Sequence, residues 1–319
     1  MTTQPGILIA LAFAASLTFV GAAAAQESRD TTPLEPIVVT ATRTPASTGS
    51  LANGVTVLDG DALRAAGLTT LGEALRGVPS LAEAQSGSFG GVTSLFLRGG
   101  QSNDVRVLVD GVPLNEAGGS VDLSALPLED VERIEVVRGP VSVLYGSDAA
   151  SGVIQVFTRR GGAGLHGEAE IVGGSYGARE ARGDVGGGST AVTWSVGGAT
   201  TRTDGVYAFN SGFRTSSLAG QLALASDART DVSLSLRLAD RCFAYPTDGS
   251  GAPVDSNQHQ LDRLVVASLE GGRRLSRAVE ARVAFGLRSS RDSTDDRPLR
   301  CPGLDFLAEF DLGRVDFVN

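Results

Sequence analysis

Three short patterns in this chain carry residues able to do chemistry. "GGSYG" satisfies G-x-S-x-G and would present Ser175 as a nucleophile, with Asp248 and then His259 following in hydrolase order. "GAGLHG" matches G-x-G-x-x-G at Gly162, Gly164 and Gly167, a spacing that lets backbone approach a pyrophosphate. Cys242 and Cys301 could pair in an oxidising compartment, although their separation fits no metal or redox motif, and two unpaired thiols are an equal reading. His166 and His259 are the only histidines, so a histidine-based metal site has little to draw on.

Chemistry of either kind needs particular elements around it. The nucleophile elbow requires a strand before Ser175 and a helix after it, but "AREARGDVGGGST" is too glycine-broken to hold a helix. A dinucleotide site requires a helix after its glycines, and "EAEIVGG" alternates like a strand instead. A hairpin turn and a linker explain both patterns without catalysis, and the chain reads as a non-enzyme with no cofactor.

Composition narrows the class further. Glycine supplies 42 of 319 residues, about twice the usual share of roughly 7%, which suits many turns between short strands. Net charge is −9, every basic residue is arginine and no basic block occurs, which argues against nucleic acid as a partner. Ile7 to Val20 is an apolar run followed by "GAAAAQ", whose Ala23-x-Ala25 fits a cleavage site, so residues 1–25 read as an export signal. The opening "MTTQPG" lacks the usual positive charge, leaving the true start codon open.

Residues 51–161 mix α and β patterns. "DALRAAG" and "TTLGEALRGVPSL" predict two short helices, the second opened by the capping box Thr70-x-x-Glu73. "SLFLRG", "VRVLVDGVPLN", "VERIEVVRGP" and "GVIQVFTRR" predict strands, with Asp110-Gly111 as a hairpin turn. Residues 162–319 change character. "STAVTWSVGGA", "DVSLSLRLAD" and "EARVAFGLR" set Val, Leu, Trp and Phe against Ser, Thr and Arg at period two. That pattern fits a soluble sandwich or a membrane barrel with a polar lumen; the export signal and the glycine favour the barrel, and the 5% aromatic content weighs against it.

A last segment stands apart. "EPIVVTATRTP" holds a strong strand former, Ile37-Val38-Val39-Thr40, between Pro36 and Pro45 in a polar tail spanning residues 26–50. Nothing near it in sequence offers a sheet to join, so it is expected to hang free and to pair with another chain.

"IVVTATRTP", "SLFLRGGQSNDVRVLVDGVPLN" and "SALPLEDVERIEVVRGPVSVLYGSDAASGVIQVFTRRG" resemble, in order and spacing, the TonB-dependent receptors of the Gram-negative outer membrane. The likeness runs from about Pro36 to Arg160 and more weakly through the strands beyond. It implies an α+β plug domain followed by antiparallel transmembrane β-barrel strands, the family barrel having 22. It also implies a TonB box within residues 36–43, in which Ile37, Val38, Val39, Thr40 and Ala41 add as a strand to TonB of the inner-membrane energy-transducing complex. The plug signature falls on Arg98, Gly99, Asp110, Gly111, Arg138, Gly139, Tyr145 and Gly146, and the family pairs the two arginines with barrel-wall glutamates.

The resemblance is strongest to the cobalamin receptor branch, carried by "YGSDAASGVIQV", "TRTDGVYAFN" and "YPTDGSGAPVDSNQ". A corrinoid is therefore the expected ligand, with an iron chelate (siderophore) as the alternative and an exported serine hydrolase using Ser175 as a distant third. Asp204, Asp248 and Asp255 fall in expected outer loops, where some such receptors hold calcium; ordinary solvated aspartates explain them as well. Outer-membrane lipid is the expected surround. A signalling variant would need a further domain before the box, for which the tail leaves too little chain. Gly164 to Asn319 has room for roughly seven or eight strands at about ten residues per crossing, so a truncated barrel is expected.

Overall fold

The computed structural model describes residues 37–38, 40, 46–47, 54–86, 90–124, 126–227, 229–246, 252, 257–276, 279–295 and 316–318. The expected export signal, Val39, Ala41, Asp248, Asp255 and Cys301 lie outside them. Among the described residues no helix is long and apolar enough to cross a membrane.

The chain opens with a short antiparallel pair, β1 (Ile37–Val38) and β2 (Ala46–Ser47). The plug follows: β3 (Gly54–Asp59), α1 (Gly60–Ala65), α2 (Leu71–Leu75), β4 (Leu81–Gln85), β5 (Thr93–Leu97), β6 (Val105–Val109), β7 (Val112–Pro113), β8 (Val131–Arg138), α3 (Ser142–Tyr145) and β9 (Gly152–Thr158). Five of its strands form one sheet in the order β3-β8-β9-β6-β7, and β4 pairs with β5 separately. All seven residues of β9 are buried, as expected of an apolar run placed centrally between antiparallel β8 and parallel β6. The Thr70 capping box forms: its hydroxyl accepts the Glu73 N–H at 3.3 Å, and the Glu73 carboxylate accepts the Thr70 N–H at 3.2 Å. Asp110 and Gly111 have φ of 44° and 79°, both positive, giving the type I′ turn that suits a two-residue hairpin.

The second half is a meander of β10 (Gly164–Gly173), β11 (Arg179–Gly188), β12 (Val192–Thr203), β13 (Phe213–Asp227), β14 (Thr230–Ala244), β15 (His259–Arg274), β16 (Glu280–Asp295) and β17 (Asp316–Val318). Each pairs antiparallel with its neighbour, and β10 and β17 form the two ends of the sheet without meeting each other. One face is exposed and apolar through Val196, Leu218, Leu222, Leu234, Leu236 and Phe285, as the period-two alternation predicts. The other face covers the plug: Val266 joins the plug core with Leu95, Ile134 and Ile154, and Leu264 packs beside it. Gly90 of the plug lies so close to Phe213 that a Cβ there would fall 1.9 Å from the ring, so only glycine permits this approach.

Connections at one end of the sheet are short (189–191, 228–229, 275–279) and at the other longer (174–178, 204–212, 245–258).

Candidate functional site

The segment expected to hang free is docked. Val38 and Thr40 are fully buried, and Ile37–Val38 pairs with Ala46–Ser47 of the chain itself. Thr40 donates its N–H (2.9 Å) and its hydroxyl (2.7 Å) to Glu135 Oε2, and its carbonyl accepts the Tyr145 hydroxyl at 2.8 Å. Glu135, on β8, has no exposure and also accepts Arg133 Nε at 3.0 Å. The expectation of an unpartnered ribbon is therefore corrected. The partner it lacked nearby in sequence is a buried carboxylate on the plug sheet, whose two donors at Thr40 offset its desolvation.

Three ion pairs join plug and wall with the reverse of the polarity the resemblance implies, while Arg159, just after β9, keeps the implied polarity at 3.4 Å from Asp184 of β11. Arg237 and Arg241 of β14 and Arg288 of β16 project from the wall, each almost fully buried. Arg237 pairs with Asp130; Arg241 meets Asp122 at 2.8 Å, the Gly90 carbonyl at 3.1 Å and Asp262 of the adjacent strand; Arg288 meets Glu116 at 3.4 Å. Burying three guanidinium groups is tolerable only with such partners. Arg98 and Arg138, the signature arginines, meet no carboxylate among the described residues. Arg138 instead donates to the carbonyls of Gly54 and Pro79, each at 3.4 Å. Their glycines have a backbone role: Gly99, Gly139 and Gly146 take φ of 75°, 122° and 86°, and Gly146 closes α3 beside Tyr145.

Towards the end of the sheet with the longer connections, the plug and wall leave a cavity of about 240 Å³ lined by Val92, Glu116, Asp122, Asp262, Arg288 and Asp292 among others. This is below the roughly 300 Å³ at which small-molecule sites begin. A second cavity, about 480 Å³, separates α1 from β10 and β11 and includes Glu129 in its lining. Burial pushes the Glu129 carboxyl up to about 7, with Asp130 and Glu180 adding repulsion that Arg237 partly offsets.

The catalytic constellation is not assembled. Ser175 lies exposed in the β10–β11 turn and His259 begins β15, four strands from β11, or about 19 Å at the usual spacing. Gly164 and Gly167 fall within β10, which no helix follows, so the dinucleotide pattern has no pyrophosphate cradle. Asp204 lies 4.0 Å from Arg202. Its two companions in the expected calcium set, Asp248 and Asp255, lie outside the described residues, among which no three His, Cys, Asp or Glu side chains gather as a metal centre. Cys242 is disulfide-bonded. Sequence reasoning missed Glu135 and the plug carboxylates. The available signals were a glutamate inside the apolar run of β8 and the arginines on the polar face of β14 and β16.

Residues 48–153 match the model of the TonB-dependent Receptor Plug Domain. The vitamin B12 transporter BtuB of Vibrio vulnificus is 38% identical over 151 residues, 47% of this chain and 24% of that protein. The siderophore receptor PiuA from Acinetobacter baumannii superposes with a TM-score of 0.65 at 17% identity, over 78% of this chain and 38% of that one. The ferripyoverdine receptor of the outer membrane of Pseudomonas aeruginosa gives 0.63 at 18% identity, over 83% and 38%. These two likenesses bear on the fold, a plug domain followed by an antiparallel barrel wall. The chain spans about a quarter of the length of the curated relative.

Proposed function

We propose that this chain, which carries the plug domain and adjoining wall of a TonB-dependent receptor, serves energy-coupled uptake of a scarce ligand across the outer membrane, and that the ligand is a corrinoid. The observation that supports the ligand class is the 38% identity to a vitamin B12 transporter. Transport involves no covalent step in this chain. Ligand would settle at the outer mouth above the cavity floored by Glu116, Asp122 and Arg288, and TonB would take Ile37 to Ala41 as an added strand.

Strand addition needs free main-chain donors and acceptors. At Thr40 both are occupied, the N–H by Glu135 and the carbonyl by Tyr145, so docking on the plug and pairing with TonB exclude one another at this residue. The box must leave the plug before it can be pulled. An export signal cleaved after Ala25 would deliver the tail to the periplasm, where that partner is met.

Calorimetric titration of the receptor with cyanocobalamin tests the ligand. Saturable heat is expected; no heat with cyanocobalamin but saturable heat with a ferric siderophore would move the assignment to an iron chelate.

A further inference from the structure

The turn that leads into β8 brings more negative charge to the plug–wall contact than the contact neutralises. Glu129 is 4% exposed, and its Oε2 has no hydrogen-bond partner. Asp130 beside it is buried with one oxygen on Arg237 of β14 and the other unpartnered. From the wall, Glu180 of β11 repels Glu129 and Arg182 attracts it, but Arg182 is already paired with Glu170 and, at 3.4 Å, with Glu180. The guanidiniums on the plug side are committed as well. Arg64 of α1 donates to the carbonyls of Leu128 and Val131, at 2.6 and 2.8 Å, and pairs with Asp61. Arg159 pairs with Asp61 and Asp184. Asp110 adds repulsion at Asp130, and Glu73 of α2 adds it at Glu180.

Glu129, Asp130, Glu170 and Glu180 thus share only Arg182 and Arg237. A carboxyl buried without a cation keeps its proton instead. Burial does so at Glu129, raising its pKa to about 7. The cavity of about 480 Å³ beside the turn would let water, and with it a proton, reach this carboxyl. The turn is also a joint between the two parts of the fold. The Arg159 N–H, just after β9, donates to the Asp130 carbonyl at 2.6 Å, and the Arg159 carbonyl accepts Ser195 Oγ of β12 at 2.7 Å.

We propose that Glu129 is a proton-operated latch between plug and wall. Protonated, it leaves Asp130 the only anion facing Arg237, and the turn stays seated. Ionised, it sets a second anion beside Asp130 and opposite Glu180, and the plug parts from the wall more readily. Parting would expose Glu129 to water, where a glutamate ionises near 4.3. The seated form therefore has its full advantage below about pH 4 and loses it as pH rises through about 7. Between pH 6 and pH 8 these two values make parting about ten-fold easier. The latch bears on uptake, since a plug pulled by its tail must leave the wall, but it depends on neither the ligand nor TonB.

Ser235 lies buried on the inward face of β14, two residues before Arg237, whereas Ala149 is buried inside the plug. Chains carrying Ser235→Cys or Ala149→Cys are labelled with a maleimide in detergent micelles at pH 6 and pH 8. Each rate is divided by that of Thr190→Cys, an exposed turn position, at the same pH. Cys242 is disulfide-bonded and does not react. Ser235→Cys should label faster than Ala149→Cys, because the plug parts as a unit, and its normalised rate should rise about ten-fold from pH 6 to pH 8. Adding Glu129→Gln should abolish the rise, and adding Glu180→Gln should reduce it. Equal rates at the two cysteines would mean that only unfolding uncovers the wall, and this overturns the latch. So does a rise below about two-fold, or one that survives Glu129→Gln. Should the Glu129→Gln chain fail to fold, an undiminished rise in Glu180→Gln overturns it instead.

Discussion

Thr40 is held to Glu135 by two hydrogen bonds from its own backbone and side chain, at 2.9 and 2.7 Å, although 95 residues separate the two in sequence. The contact buries Thr40 beside Val38, and under the proposed function the Glu135 carboxylate and the Tyr145 hydroxyl would control access of the partner strand to this residue.

Loosening that contact should favour the external partner. Tyr145→Phe removes a neutral hydrogen bond worth about 1 kcal/mol and should tighten binding of the TonB periplasmic domain to ligand-free receptor about five-fold. Glu135→Gln weakens two charge-assisted bonds and should do so about ten-fold. Fluorescence anisotropy with a labelled TonB fragment reads both, and unchanged affinity in both variants would mean that docking does not compete with TonB.

Arg241 gives the clearest stability test on the wall. Arg241→Met would leave Asp122 and Asp262 facing one another without a cation, and loss of one partner of a buried pair costs about 3–5 kcal/mol. The midpoint of urea unfolding should fall accordingly, and adding Asp262→Asn should restore part of it. A fall confined to a few tenths of a kcal/mol would show that water already reaches this pair.

Glu129 makes a pH prediction. Burial raises its pKa in the folded chain to about 7, against an ordinary value near 4.3, so the folded state holds the proton more tightly. Its contribution is fully present below about pH 4 and is lost as pH rises to 7 and beyond. Glu129→Gln should therefore stabilise the chain at pH 8 by up to about 3 kcal/mol relative to the unaltered protein, with no gain at pH 4. Denaturant unfolding at the two pH values checks the sign; an equal effect at both would mean that ionisation plays no part.

At the plug hairpin, Gly111 takes φ of 79°, and modest space surrounds it, the nearest atom to a Cβ there being a Glu270 carboxylate oxygen at 3.5 Å. Gly111→Ala should cost about 1–2 kcal/mol through backbone strain alone. Asp110→Ala removes the acceptor for the Thr158 N–H at 2.9 Å and its hydroxyl, and should be at least as damaging by the same unfolding assay.

Much of the architecture was legible because it is written locally. Capping residues lie three apart, the Asp110-Gly111 turn is two residues, and the period-two alternation of β12, β14 and β16 is visible within a single strand. The same alternation showed that Arg237 and Arg288 would share the polar face, although not what they would meet there. The catalytic look-alikes were also separable in this way, since the helix that each motif requires would have to follow it directly.

Contacts across the fold were not legible. Pairing of Arg237 with Asp130, of Arg241 with Asp122 and of Arg288 with Glu116 depends on how the plug is seated against the wall, and no spacing in the chain encodes it. The box shows the division most plainly. Its residues alone determined that it is a strand former in need of a partner, because propensity belongs to side chains and their neighbours. Only the tertiary structure decided that the partner at rest is Glu135, because a buried carboxylate becomes an acceptor site for distant donors only once the sheet around it has closed off water.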